Sequence, residues 1–165
     1  MIKKYGENVG KEKYKAWMLK ISNVKFNQVS KESWIFFEPI MKFLFKNNFL
    51  KTDFIIGTSK RKEFYIYSDK KSKLFYYDFA IPSIKLIIEY NGEMFHPNPS
   101  WSKEKWNNWK CLRSNVSADE KYRFDKSKED LAKSLGYSVI SIFSSDNYDE
   151  KYHLIKNEIT RRLSE

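Results

Sequence analysis

Tyr76-Tyr77-Asp78-Phe79-Ala80-Ile81-Pro82-Ser83-Ile84-Lys85-Leu86-Ile87-Ile88-Glu89-Tyr90-Asn91-Gly92 is the stretch whose reading decides how this 165-residue chain folds. Two runs rich in aromatic and β-branched residues, Tyr76 to Ile81 and Lys85 to Tyr90, flank the turn signal Pro82-Ser83 and predict a β-hairpin. Each run carries a single acid, Asp78 in the first and Glu89 in the second. A two-residue loop at Ser83-Ile84 sets Asp78 directly opposite Glu89. A loop at Pro82-Ser83 sets them diagonally on the same face. In both registers the two carboxylates are within reach of each other, whereas a three-residue loop separates them. Adjacent like charges repel, and a divalent cation relieves the repulsion. Oxygen ligands from an incomplete protein shell suit Mg²⁺ (or Mn²⁺), which keeps waters for substrate and nucleophile. The alternatives are two solvated acids on an open sheet face, or two acids each paired with a lysine.

Working outward, Phe64-Tyr65-Ile66-Tyr67 and Leu74 to Ile81 read as strands separated by the turn Asp69-Lys70-Lys71-Ser72, and Asn91-Gly92 ends the third strand. Residues 97–116 are irregular or weakly helical. Ser117-Ala118-Asp119-Glu120 is a capping box that opens a helix, and Gly136 closes it. Tyr137 to Phe143 predicts a buried strand, and residues 149–163 an amphipathic helix with Tyr152, Ile155, Ile159 and Leu163. On the N-terminal side, Ser30 caps a helix running to about Lys46, with Pro39 expected to kink or break it. Tyr14, Trp17, Met18 and Ile21 predict a further helix near 10–21. The order α, α, β, β, β, α, β, α implies an α/β fold, one mixed β-sheet flanked by helices in a single domain over 30–165, with residues 1–29 as a basic N-terminal appendage.

The net charge is +10, and residues 1–75 hold 17 Lys/Arg against 7 Asp/Glu while residues 76–165 hold 14 of each. All the excess positive charge lies in the first half, which points to a polyanion such as a nucleic acid. A generally basic, lysine-rich solvated surface is the bland alternative. One cysteine, Cys111, excludes a disulfide framework and a Cys-rich zinc site. Met1-Ile2-Lys3-Lys4-Tyr5 lacks the apolar core of a signal peptide, and the most apolar stretch, Trp34 to Phe45, is interrupted by Glu38, Pro39 and Lys42. A soluble cytoplasmic protein with no membrane partner is the expectation.

His96 follows Gly92 by four residues and precedes Pro97, which biases it to an extended loop conformation beyond the acidic strand. That position brings an imidazole near the carboxylate pair as a candidate general base, with a structural histidine as the alternative. Asp125, in the helix opened by Ser117, is able to orient that imidazole, or simply to pair with Lys121 and Lys128 along its own helix. Glu32 sits in a helix's first turn, where the macrodipole alone would account for it. His153 and Cys111 read as incidental. Trp101, Trp106 and Trp109, interleaved with lysines, fit either base stacking or core under a loop. Lys60-Arg61-Lys62 and Lys70-Lys71-Lys73 are the better candidates for phosphate contact.

The run Tyr77 to Pro82, then Leu86 to Gly92 and Phe95-His96-Pro97-Asn98-Pro99, resembles phage-type homing endonucleases. These share the fold of very-short-patch repair endonucleases within the PD-(D/E)XK superfamily. Ala118 to Asp125, Leu131 to Tyr137 and Ser30-Lys31-Glu32 are similar to other parts of that core, and Tyr5-Gly6-Glu7, Gly10 and Lys13-Tyr14 look like a short unit found before it. The resemblance covers about residues 30–145 and implies a restriction-endonuclease-like fold. It also implies an E-D-x-H-D catalytic set at Glu32, Asp78, His96 and Asp125, with Glu89 as the strand acid that holds metal beside Asp78. Asn91 stands where the superfamily usually has lysine, which favours histidine-assisted chemistry. The resulting expectation is an Mg²⁺-dependent endonuclease cutting double-stranded DNA, as a monomer or transient homodimer. The alternatives are a catalytically silent DNA-binding module of the same fold and an RNA-directed nuclease.

Overall fold

Ser30 accepts a hydrogen bond from the Ser33 N–H at 3.0 Å and starts helix α1, Lys31–Lys46. Its apolar positions Phe36, Phe37, Ile40, Met41 and Leu44 are all buried, and the helix runs through Pro39 without a break. The carbonyl that Pro39 leaves without a donor is that of Ile35, which is 53% exposed, so water reaches that side. Packing on the opposite face outweighs the lost hydrogen bond. The computed structural model of the chain describes residues 30–57 and 63–164, so the helix expected near 10–21, the 1–29 appendage and Lys60-Arg61-Lys62 lie outside the described residues.

The strands are β1 (Ile55–Ile56), β2 (Phe64–Ser68), β3 (Lys73–Tyr77), β4 (Phe79–Ile81), β5 (Leu86–Asn91) and β6 (Ser138–Phe143). The other helices are α2 (Lys103–Asn108), α3 (Ala118–Ser134) and α4 (Tyr148–Leu163). They form a four-stranded mixed sheet in the order β1-β4-β5-β6 and a separate two-stranded antiparallel ribbon, β2-β3. The run Leu74 to Ile81 is therefore not one strand. It divides at Asp78, with β3 pairing β2 on one side and β4 pairing β1 and β5 on the other. Tyr77 and Phe79 have equal β propensity, so nothing local marks the break; the choice of partner strand makes it.

Phe79 pairs with Ile88, Ala80 with Ile87 and Ile81 with Leu86, the register that carries Asp78 opposite Glu89. The connection is a 3₁₀ turn over Pro82–Ile84 followed by left-handed Lys85 (φ 49°), longer than a two-residue loop but of the same parity. β5 is central, antiparallel to β4 and parallel to β6, and its first five residues are buried. Alternate side chains of β5 enter two different cores. Leu86, Ile88 and Tyr90 pack with α1 and α4, where Phe37, Phe54 and Phe79 stack, and Ile155 and Ile159 are fully buried. Ile87 packs with Ala80, Ile66, Phe75, Tyr77 and Ala132 beneath α3. Each such fully buried aliphatic or aromatic side chain contributes about 1.5–3 kcal/mol.

The capping box forms as expected, with Glu120 accepting from the Ser117 N–H at 2.9 Å. Gly136 ends α3 at φ +83°, a left-handed position that a side chain tolerates poorly. Along α3, Phe124 and Leu135 are 40% and 49% exposed, and the fully enclosed residues are Ala118 and Ala132. Small residues there let the helix lie close to β5 and β6. None of the described helices is long and apolar enough to cross a membrane.

Candidate active site

Asp78 and Glu89 meet at the point where the chain leaves the ribbon and enters the main sheet. The Tyr90 N–H donates to Asp78 Oδ2 at 2.9 Å, and the Asp78 N–H donates to Glu89 Oε2 at 3.3 Å. Each acid is thus held by the backbone of the other strand. Across Asp78, the Gly57 N–H donates to its carbonyl at 2.8 Å, and a Cβ on Gly57 would lie 2.8 Å from Glu63 Cγ. A side chain at 57 would force Glu63 to move from this position.

Glu89 is 8% exposed, and its Oε1 is ion-paired with the Lys128 ammonium without gaining a hydrogen bond of good geometry. Burial pushes the Glu89 carboxyl up to about 8; Lys128 opposes the rise and the neighbouring Asp78 adds to it. Burial alone would lower the Lys128 ammonium, but the charges of Glu89, Asp78 and Asp125 together hold it above the ordinary lysine range. The Lys128 Nζ also lies 4.7 Å from the centre of the Tyr77 ring, and the Tyr77 hydroxyl donates to the Lys128 carbonyl at 2.9 Å. Glu63 is drawn into the same electrostatic group: burial raises its carboxyl, the Asp78 charge raises it further and Lys128 opposes.

Gly92 carbonyl accepts from both Phe95 and His96 N–H at 2.9 Å, a turn that folds the chain back over the end of β5. His96 Nδ1 lies 2.8 Å from Asp125 Oδ2, and Lys121 closes the group by pairing with Asp125 Oδ1 and standing 3.1 Å from His96 Nδ1. Burial favours a raised Asp125 carboxyl, but the hydrogen bond and charge of His96, joined by Lys121, hold it below the usual carboxylate range. His96, Asp125, Glu89 and Lys128 line one cavity of about 160 Å³, together with Asn91, Tyr122 and Ser141.

The structure therefore brings four of the five expected residues into one group: Glu89, His96 and Asp125 around the cavity, and Asp78 bonded behind Glu89. Glu32 is placed differently. Its carboxylate accepts from the Tyr90 hydroxyl at 3.4 Å, on the α1 side of β5 and away from the face that carries Glu89. Of the expected phosphate contacts, Lys70 is exposed in the ribbon's turn, while Lys71 donates to Ser127 Oγ at 2.8 Å and Lys73 lies 4.1 Å from the Phe124 ring centre. The three tryptophans are half-buried, with Trp101 and Trp109 donating to Glu93 and Trp106 to Asp119.

Two hard carboxylates held side by side fit Mg²⁺, which binds through one or two carboxylates and retains waters. The buried Glu89 Oε1, here occupied by the Lys128 ammonium, is the oxygen such a cation would take. Among the described residues no group of three or more His, Cys, Asp or Glu side chains is placed to hold a metal ion. Sequence reasoning passed over Lys128, Lys121 and Glu63 as members of the site. In the sequence Lys128 stands only as the i+3 neighbour of Asp125, and nothing local marks it as facing Glu89. No known protein family, curated protein or solved structure matches the chain.

Proposed function

We propose that the chain is a divalent-metal-dependent endonuclease that hydrolyses phosphodiester bonds in double-stranded DNA. In this reading it has a restriction-endonuclease-like core of the homing or very-short-patch-repair type and acts as a monomer or transient homodimer. The observation that carries the reading is the His96–Asp125 pair, 2.8 Å apart, opening into the same cavity as Glu89. In the tautomer with Nδ1 protonated, His96 donates to the ionised Asp125, Lys121 pairs with the other Asp125 oxygen rather than with the ring, and the Nε2 lone pair is left to take a proton from water. Asp78 and Glu89 are the residues that would hold Mg²⁺, which when bound polarises the phosphate and offsets its developing charge. The excess of lysine and arginine in the first 75 residues supplies the backbone grip.

Supercoiled plasmid incubated with the protein and Mg²⁺ should be nicked or cut, and EDTA should stop it. Asp78→Ala and His96→Ala should each abolish cutting while DNA retention persists. Cutting that survives both changes removes the mechanism. Salt-sensitive binding without cleavage identifies a silent DNA-binding module, and preferential loss of RNA in a mixed digest an RNA-directed nuclease.

A further inference from the structure

The ammonium of Lys128 sits on the buried oxygen of the carboxylate pair, Glu89 Oε1, which makes no hydrogen bond of good geometry beyond that ion pair. This is the donor that a cation held by Asp78 and Glu89 would take. Two cations cannot share one oxygen at contact distance without strong repulsion, because the surrounding low dielectric magnifies it. Nor is a buried lysine explained by stability alone, since desolvating a charge pair costs as much as the pair returns. Lys128 also has somewhere else to go: it lines the cavity that contains His96 and Asp125, and Asp125 already faces it electrostatically.

We propose that Lys128 is an internal counter-cation that competes with the divalent metal for Glu89 Oε1. On metal entry its ammonium swings into the cavity, where it meets the phosphate of bound DNA. This rests on the reading of Asp78 and Glu89 as metal ligands, and it makes Lys128 a brake on metal binding as well as a partner in catalysis. The anchoring supports a swing about a fixed base: the Lys128 backbone is held by the Tyr77 hydroxyl while its side chain rests along the Tyr77 ring.

The test uses Mg²⁺ alone, titrated calorimetrically into the full chain at pH 8.5, with no DNA present. Lys128→Met should bind Mg²⁺ about tenfold or more tightly than wild type, from removal of one adjacent positive charge, although it cuts plasmid more slowly. Lys128→Arg, which keeps the charge, should retain the weaker wild-type affinity, and Glu89→Gln should lose binding in either background. Should Lys128→Met fold poorly, wild-type protein with ¹³Cε-labelled lysine gives the same answer: Mg²⁺ should move the Lys128 signal and leave that of Lys85 in place. Equal or weaker Mg²⁺ binding by folded Lys128→Met, or a Lys128 signal indifferent to Mg²⁺, overturns the proposal. Tighter binding without any plasmid cleavage by wild type would leave Lys128 as the brake and remove only the nuclease reading.

Discussion

Glu89→Gln should flatten the pH dependence of the folded chain's stability. Glutamine matches the size of a protonated glutamic acid but has no proton to lose. In the folded chain burial pushes the Glu89 carboxyl up from its ordinary value of 4.5 to about 8, against the pull of the paired Lys128. Between those values the native state binds a proton that the unfolded chain has released, so stability falls as pH rises through this window. At about 1.4 kcal/mol per pH unit, the whole window corresponds to roughly 3–5 kcal/mol, a large share of a small domain's stability. Urea unfolding of wild type and Glu89→Gln at pH 5, 7 and 9 measures it. Because Glu89→Gln also leaves the buried Lys128 ammonium without its carboxylate, the variant should start less stable than wild type at pH 5. The gap should then shift in the variant's favour by up to a few kcal/mol (roughly 3–5) between pH 5 and pH 9. Parallel profiles across the range would falsify the buried, proton-holding state of Glu89.

Asp125→Asn should lower plasmid cleavage by roughly 10²–10⁴-fold, the range for loss of acid–base assistance, with a smaller fall in Tm from the lost pairing with Lys121. Single-turnover assays and calorimetry separate the two. Tyr77→Phe removes the buried hydroxyl that holds the Lys128 carbonyl and should cost about 1 kcal/mol in urea unfolding. It should also loosen the ammonium, which shows as a changed Mg²⁺ affinity.

Much of the frame was readable from residue order because it rests on local rules. The β5 run is apolar throughout since both of its faces are covered, and the Ser117–Glu120 box and Gly136 mark the two ends of α3 by their own chemistry. The opposition of Asp78 and Glu89 followed from strand parity, which the 3₁₀ turn preserves. What escaped the sequence depended on partners far along the chain. The division at Asp78 is decided by which strands pair with its two sides. Continuity of α1 through Pro39 is decided by the core beneath it. Lys121 and Lys128 look like ordinary helical neighbours of Asp125 until α3 is laid against β5, and Glu63 belongs to the site only because Gly57 makes room. Glu32 shows the converse, since a motif position in the chain does not fix which side of a sheet a carboxylate serves.

The division at Asp78 has a mechanical corollary. One residue is both the joint by which the β2-β3 ribbon hangs from the main sheet and the bearer of a carboxylate at the centre of the site. A torque on the ribbon, from whatever grips its exposed tyrosines or Lys70, is delivered to that joint as well as to the core the ribbon shares with β5 and α3. Transplanting the ribbon between proteins to alter what it touches would therefore retune the acid at its root, and the two properties cannot be engineered separately.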